Sequence, residues 1–249
     1  MRNIRLVIEY DGTNYMGWQT QKKNLKTIQG TIEKVLREIL QEKVNIIGSG
    51  RTDRGVHALG QVANFKTKSS ILTSKLQQAL NSLLPPDIVI KKAEDVGLEF
   101  HARFTVRSKI YRYTILNSST PRAISRDYYI YLKYPLDVVK MQKEAKCLLG
   151  RHNFKSFQAA DRAWRKKDRK SETNIKMLNI SKKDDFIYID IEATGFLYNM
   201  VRNIVGTLIE VGRGKFPGGR VKAILEKRDR TYAGPTAAAK GLCLVQVKY

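Results

Sequence analysis

Cysteine, histidine and acidic side chains are all scarce in this chain. Two cysteines in 249 residues, Cys147 and Cys243, are too few and too far apart for a disulfide framework or for zinc-ligand spacing. The three histidines, His57, His101 and His152, are scattered and form no HxxxH-type pair, so a metal-free protein is expected. No apolar stretch approaches the ~20 residues that a membrane-spanning helix needs. The opening "MRNIRLVIEYDG" reads as a strand rather than a signal peptide, and a cytoplasmic protein is the expectation.

Carboxylates number 23 against 46 lysines and arginines, a net charge of +23. With 42% hydrophobic and 28% charged residues the chain reads as globular rather than disordered. A folded protein this basic is expected to meet a polyanion, and a nucleic acid is favoured over a merely basic surface. The excess is uneven. Residues 1–104 carry 16 basic and 10 acidic side chains, or +6, and residues 105–249 carry 30 and 13, or +17. The second half is therefore expected to supply most of the phosphate contact. "RAWRKKDRK", Arg162–Lys170, concentrates that charge: Arg162, Arg165, Lys166 and Lys167 stand in a run of six basic residues to one acidic, with Trp164 inside. It reads as a basic loop over a nucleic-acid surface, the alternative being a solvated loop.

Hydrophobic periodicity gives the coarse organisation. "NIRLVIEY" alternates and reads as a strand, and Ile28, Ile32, Val35, Leu36, Ile39 and Leu40 predict an amphipathic helix over 27–42. "VNIIGSG", "LGQVANFKT" and "DIVIKKAEDV" read as strands, and "TSKLQQALNSLLPP" as a helix stopped by Pro85 and Pro86. Beyond a boundary near 104–107 come a strand "SKIYRYTILN" and a helix from about Pro135 to Gly150. A hairpin around Lys182–Asp185, an apolar helix in "FLYNMVRNIVGTLIEVGRG" and a closing strand "CLVQVKY" follow. The expected class is α+β, with two α/β halves at 1–104 and 105–249 and largely antiparallel sheets covered by helices.

The stretch "GSGRTDRGVHALGQVANF", Gly48–Phe65, carries the densest motif. It lacks the Gly-Lys-Ser/Thr ending of a phosphate loop. Asp53 stands where a dinucleotide fingerprint needs its third glycine, and its charge would repel a pyrophosphate. Two readings remain. Asp53, two residues before Gly55, suits a turn. Alternatively, a lone carboxylate sharing a face with Arg51 stays ionised and serves as a nucleophile.

The same stretch closely resembles the signature of the TruA family of tRNA pseudouridine synthases, Gly-Arg-Thr-Asp-x-Gly-Val-His-Ala followed by Gly-Gln-Val. Five further blocks fall in the family's order: "YDGTNYMGWQTQ", "FHARFTVRSKIYRYTI", "HNFKSF", "FLYNMVRNIVGTLIEVG" and "TAAAKGLCLVQV". Arg54 stands where the family most often has Ala. The resemblance implies a cofactor-free, homodimeric enzyme of the pseudouridine synthase fold, with an active-site cleft between two related halves. The implied reaction is isomerisation of uridine to pseudouridine at positions 38, 39 and 40 of the tRNA anticodon stem-loop. By the same resemblance Asp53 is the catalytic nucleophile, Tyr111 packs on the flipped uracil, and Arg202 pairs with the catalytic Asp. Arg51 is expected either on the RNA backbone or holding the flipped nucleotide. His57 is expected either on RNA or bracing its own loop. Trp18 and Gln19 fit an RNA-contacting loop, with Trp18 as a core anchor the alternative reading. For Tyr111 the alternative is a strand aromatic in the core, and for Arg202 an arginine snorkelling from its helix.

Overall fold

The computed structural model describes residues 1–21, 25–159 and 171–249. In chain order the elements are β1 (Arg2–Tyr10), α1 (Ile28–Leu40), β2 (Ile47–Gly48), β3 (His57–Thr67), α2 (Thr73–Leu83) and β4 (Ile88–Val96). They are followed by β5 (Ser108–Asn117), β6 (Ile130–Leu132), α3 (Val138–Ala145), β7 (Gly150–Asn153), β8 (Glu172–Lys183), β9 (Phe186–Ala193), α4 (Met200–Gly212), α5 (Arg220–Lys227) and β10 (Leu242–Lys248). Two compact units result: Met1–Arg107 with Cys243–Tyr249, and Ser108–Leu242. The class is α+β.

In the first unit the strand order is β4-β1-β3-β10, with β2 also on β3. All pairs are antiparallel except β3·β10, where Cys243 faces His57 and Leu244 faces Ala58. Alternation in β1 buries Ile4, Leu6, Ile8 and Tyr10 on one side. Helix α1 starts where the Thr27 side chain accepts the Gly30 N–H at 3.2 Å. It buries Ile28, Ile32, Val35, Leu36 and Leu40, each stabilising by about 1.5–3 kcal/mol before entropy is counted. Helix α2 packs along β4 and stops at Leu84, whose ψ of 147° is the extended backbone that a following proline enforces. The alternation read in β3 predicts one wet face, but the strand is buried nearly throughout. It lies between β1 and β10, and its amides are satisfied inside: Asn64 Nδ2 donates to Asn3 Oδ1 (2.8 Å) while its Oδ1 accepts the Ala102 N–H (2.9 Å).

In the second unit the order is β5-β9-β8-β7, antiparallel throughout, with β6 parallel to β5. The β8–β9 hairpin turns at Asp184, whose φ is 52°. Helix α3 is shorter than its apolar spacing predicts. Asp137 caps it by accepting the Lys140 N–H at 2.9 Å, a 3-10 turn takes Lys146–Leu148, and Gly150 at φ +94° opens β7. Strands β6 and β7 and helix α5 carry too few residues for a periodic signal to announce them.

Helix α5 is instead started from a distance. Glu144 of α3 accepts the Gly219 N–H at 2.7 Å through Oε1 and the Val221 N–H at 3.1 Å through Oε2. A carboxylate there satisfies two orphan donors and sits at the positive end of the helix dipole. Glu144→Gln is expected to lower stability by about 1 kcal/mol in denaturant unfolding. An unchanged midpoint would show that the carboxylate charge contributes nothing as the cap of α5.

Candidate active site

Between β2 and β3 the chain makes a short loop carrying Asp53, held by the end of β1, the loop after β1, and β3. Ser49 N–H donates to Val62 O (2.7 Å) and its Oγ to Gln61 Oε1 (2.6 Å), while Gln61 Nε2 donates to Gly50 O (3.0 Å). Gln61 is fully buried, so one amide clamps the loop's entry onto β3. Further on, the Val56 N–H donates to the Asp53 carbonyl at 3.1 Å, with Gly55 at φ +75° as third residue of the turn. The turn is thus closed by the Asp53 backbone. Asp53 itself is half-buried, and Arg51 and Arg54 on either side of it are exposed.

The loop after β1 lies against this turn through its glycines. A side chain on Gly12 would collide with the Val56 carbonyl. A Cβ on Gly17 would stand 2.5 Å from Thr52 O, 3.1 Å from Asp53 C and 3.2 Å from Arg54 N, and Gly17 has φ +92°. Close approach permits two further bonds, Trp18 N–H to Thr52 O at 3.1 Å and Tyr10 Oη to Thr52 Oγ1 at 2.8 Å. Burial pushes the Tyr10 phenol up, so it stays protonated.

Trp18 is 2% exposed and lies under Gly48, where a Cβ would come within 2.6 Å of the indole. Gln19 is half-buried; its Oε1 accepts Arg51 Nε at 3.2 Å and its Nε2 donates to Gln29 Oε1 at 2.6 Å. Gln19 and Arg51 therefore meet at the surface beside the loop. His57 is buried. Its Nδ1 lies 3.1 Å both from the Gly12 nitrogen and from Asp11 Oδ1. A backbone N–H can only donate, so the ring nitrogen is an acceptor there, and the Asp11 contact becomes an ion pair only on protonation. His57 ties the loop after β1 to the start of β3.

Tyr111 and Arg202 belong to the second unit. Tyr111 lies on β5 opposite Ile191, buried, with its ring edge-on to Phe196 at 5.1 Å between centroids. Tyr113 shares its face and is fully buried. Its hydroxyl donates to Ala238 O at 2.7 Å, and burial outweighs the opposing charge of Arg202 to push its pKa up. Arg202 is the half-exposed residue of a helix otherwise buried along its length. Its Nε donates to Ala237 O at 2.7 Å and its Nη1 to Asn199 Oδ1 at 3.0 Å. The helix begins only at Met200; Asn199 sits in the left-handed region at φ 57°, and Phe196 is spent on Tyr111.

Arg162, Arg165, Lys166 and Lys167 lie outside the described residues. Among those described, no three His, Cys, Asp or Glu side chains converge as metal ligands. Burial and Glu144 push the Cys147 thiol up to about 11, so it is protonated at neutral pH and a poor nucleophile. No helix among the described residues is long and apolar enough to cross a membrane.

A family model described as tRNA pseudouridine synthase matches residues 6–105 and 145–249. The chain belongs to the tRNA pseudouridine synthase family. It is thereby an isomerase, in agreement with the resemblance carried by its six sequence blocks. Similar curated proteins named tRNA pseudouridine synthase A include one from Thermoanaerobacter sp. (strain X514), 49% identical over 251 residues. Another, from Acetivibrio thermocellus, is 47% identical over 249 residues, and one from Caldicellulosiruptor saccharolyticus is 49% identical over 254. Each alignment spans 100% of this chain and 100% of the relative.

The folded structure gives the glycines and amides around Asp53 a physical reading that motif matching alone leaves blank. In this pseudouridine synthase the Asp-Gly and Gly-Trp pairs after β1 are the surface against which the 52–56 turn packs. The Gln of Gly-Gln-Val is the clamp on Gly50. Spacing gave no sign of either role, because each partner lies distant in sequence.

Proposed function

We propose that this protein isomerises uridine to pseudouridine at positions 38, 39 and 40 of the tRNA anticodon stem-loop, without a cofactor and as a homodimer. A paired uridine must leave the stack before its glycosidic bond can be reached, at a cost of a few kcal/mol. The bond from C1′ to N1 breaks, the uracil turns, C1′ bonds to C5, the C5 proton is lost to solvent, and N1 takes up a proton, so that product and substrate are isomers. Asp53 acts as nucleophile, or as the anion that stabilises the separated intermediate. Tyr111 offers an aromatic surface to the uracil, and Arg202 supplies the cationic partner that keeps a carboxylate ionised. Arg51, beside Gln19, contacts the RNA.

The observation that carries this reading is the fixing of the Asp53 turn. Backbone closure at Val56, the close approach of Gly12 and Gly17, and the Gln61 clamp fix the main chain that carries Asp53. Preorganisation of that kind is expected where a side chain reacts. The direct test is release of tritium from C5-labelled tRNA by the purified protein, with pseudouridines mapped in the product. No release from any tRNA pool, under conditions where tRNA binds, would leave an RNA-binding protein that lacks the activity.

The charge of the second half suggests where affinity comes from. Replacing the six basic residues of Arg162–Lys170 with Ser is expected to weaken tRNA binding and to flatten its salt dependence. The slope of log K against log salt should fall by up to about 0.9 for each phosphate that is no longer neutralised. An unchanged slope would show that the segment touches no phosphate.

A further inference from the structure

Arg230 lies outside every motif read from the sequence, yet it closes the network behind Arg202. It is half-buried in the 3-10 turn Arg230–Tyr232. Its Nη2 donates to Asn203 Oδ1 at 3.0 Å and to Thr236 Oγ1 at 3.1 Å, and its Nη1 to Ala233 O at 3.3 Å. All three acceptors are neutral, so the guanidinium is used for its fork of donors rather than for an ion pair. Thr236 Oγ1 donates to the same Asn203 oxygen at 2.7 Å, and Asn203 Nδ2 donates to Phe157 O at 2.8 Å. Asn203 is fully buried on α4, one residue from Arg202.

Segment 233–237 is thereby pinned against α4. Gly234 N–H donates to Thr207 Oγ1 at 2.9 Å, and a side chain on Gly206 would collide with the Pro235 carbonyl. At its far end Ala237 exchanges two bonds with Arg202: its N–H donates to Arg202 O at 3.1 Å, and its carbonyl accepts Arg202 Nε at 2.7 Å. The next carbonyl, Ala238 O, takes the Tyr113 hydroxyl. The aim of the Arg202 guanidinium thus depends on where the 237 peptide sits, and Arg230 with Asn203 and Thr236 sets that place.

We propose that Arg230 is a positioning residue for the isomerisation, acting through Thr236, Asn203 and the Ala237 carbonyl to orient Arg202. The inference rests on the function proposed above. A lysine could not substitute: a single ammonium cannot reach a side-chain amide, a hydroxyl and a carbonyl in one plane. Misdirection of a charged group by a fraction of an ångström at a reacting centre costs rate more than affinity.

The test uses the full-length protein and tritium release under single turnover at saturating enzyme, beside tRNA Kd and thermal unfolding. Wild-type release must be present first; its absence overturns the proposed function and not this network. Arg230→Met and Arg230→Lys are expected to lower the single-turnover rate by about 10- to 100-fold, with Kd within about twofold of wild type. Thr236→Val, which removes one hydroxyl at an exposed position, should give a smaller loss in the same direction, and Thr236→Ser should restore the rate. In an Arg202→Lys background, adding Arg230→Met should cost nothing further. If Arg230→Met fails to fold, the Thr236 pair carries the test. A raised Kd with a shallower salt slope and an unchanged rate would make Arg230 an RNA contact and overturn the proposal. Equal rates for Thr236→Val and Thr236→Ser, or a full additional loss in the Arg202→Lys background, would overturn it too.

Discussion

Asp53→Asn is expected to abolish tritium release while tRNA binding stays within about twofold of wild type. An amide is neither a nucleophile nor an anion able to stabilise a developing positive charge on the sugar, so a loss on the order of 10⁴-fold or more is expected. The substitution is nearly isosteric. It keeps the backbone carbonyl that the Val56 N–H bonds at 3.1 Å, so the turn itself should survive. The exposed basic residues that would supply affinity are untouched. Single-turnover assays and equilibrium binding, run on the same preparation, separate the two effects. Residual turnover near wild type would sink Asp53 as the reacting group. A parallel loss of binding would instead make it a structural turn residue, the other reading its sequence context allows.

Gly17→Ala should be strongly damaging to the first unit. Its φ of +92° is strained for any residue with a Cβ, and the new methyl would lie 2.5 Å from Thr52 O. The strain costs about 1–2 kcal/mol, and displacing a backbone neighbour adds about 1–3 kcal/mol. Neither neighbour can yield alone, since Trp18 N–H is bonded to Thr52 O and Trp18 is buried under Gly48. The loop after β1 and the Asp53 turn must separate together. We expect a fall in thermal stability and a drop in the single-turnover rate of about 100-fold. The assay temperature should lie well below the variant's Tm, so that unfolding does not mimic a catalytic defect. Full activity at unchanged stability would show that the two loops are not mechanically coupled.

Local pattern made much of the fold legible. The β1 alternation and the α1 stripe are read from side-chain periods of 2 and 3.6, and the stop of α2 from Pro85. Strand β3 exceeded its pattern because it lies between β1 and β10, and a strand's own residues do not reveal how many neighbours it has. Helix α5 offers only one short apolar set, Val221, Ile224 and Leu225, and its start is fixed by Glu144, 75 residues from Gly219. Around the site, the Trp18 ring lies under Gly48 and His57 accepts the Gly12 N–H, contacts that neighbours in sequence do not announce. Gln61 and Arg230 passed unnoticed, since an amide or guanidinium shows its partners only when the chain is folded.

The sequence by itself determined the types of the longer elements, the α+β class, the family and the candidacy of Asp53, because these rest on short-range periodicity and on residue identity at close spacing. Tertiary structure alone decided that the closing strand joins the first unit, that two glycines let separate loops share one surface, and that a hydrogen-bonded network stands behind Arg202. Those features depend on pairing across dozens to hundreds of residues. Such pairing carries no local period, and it becomes favourable only once the loop-closure entropy between the segments has been met by the contacts they form.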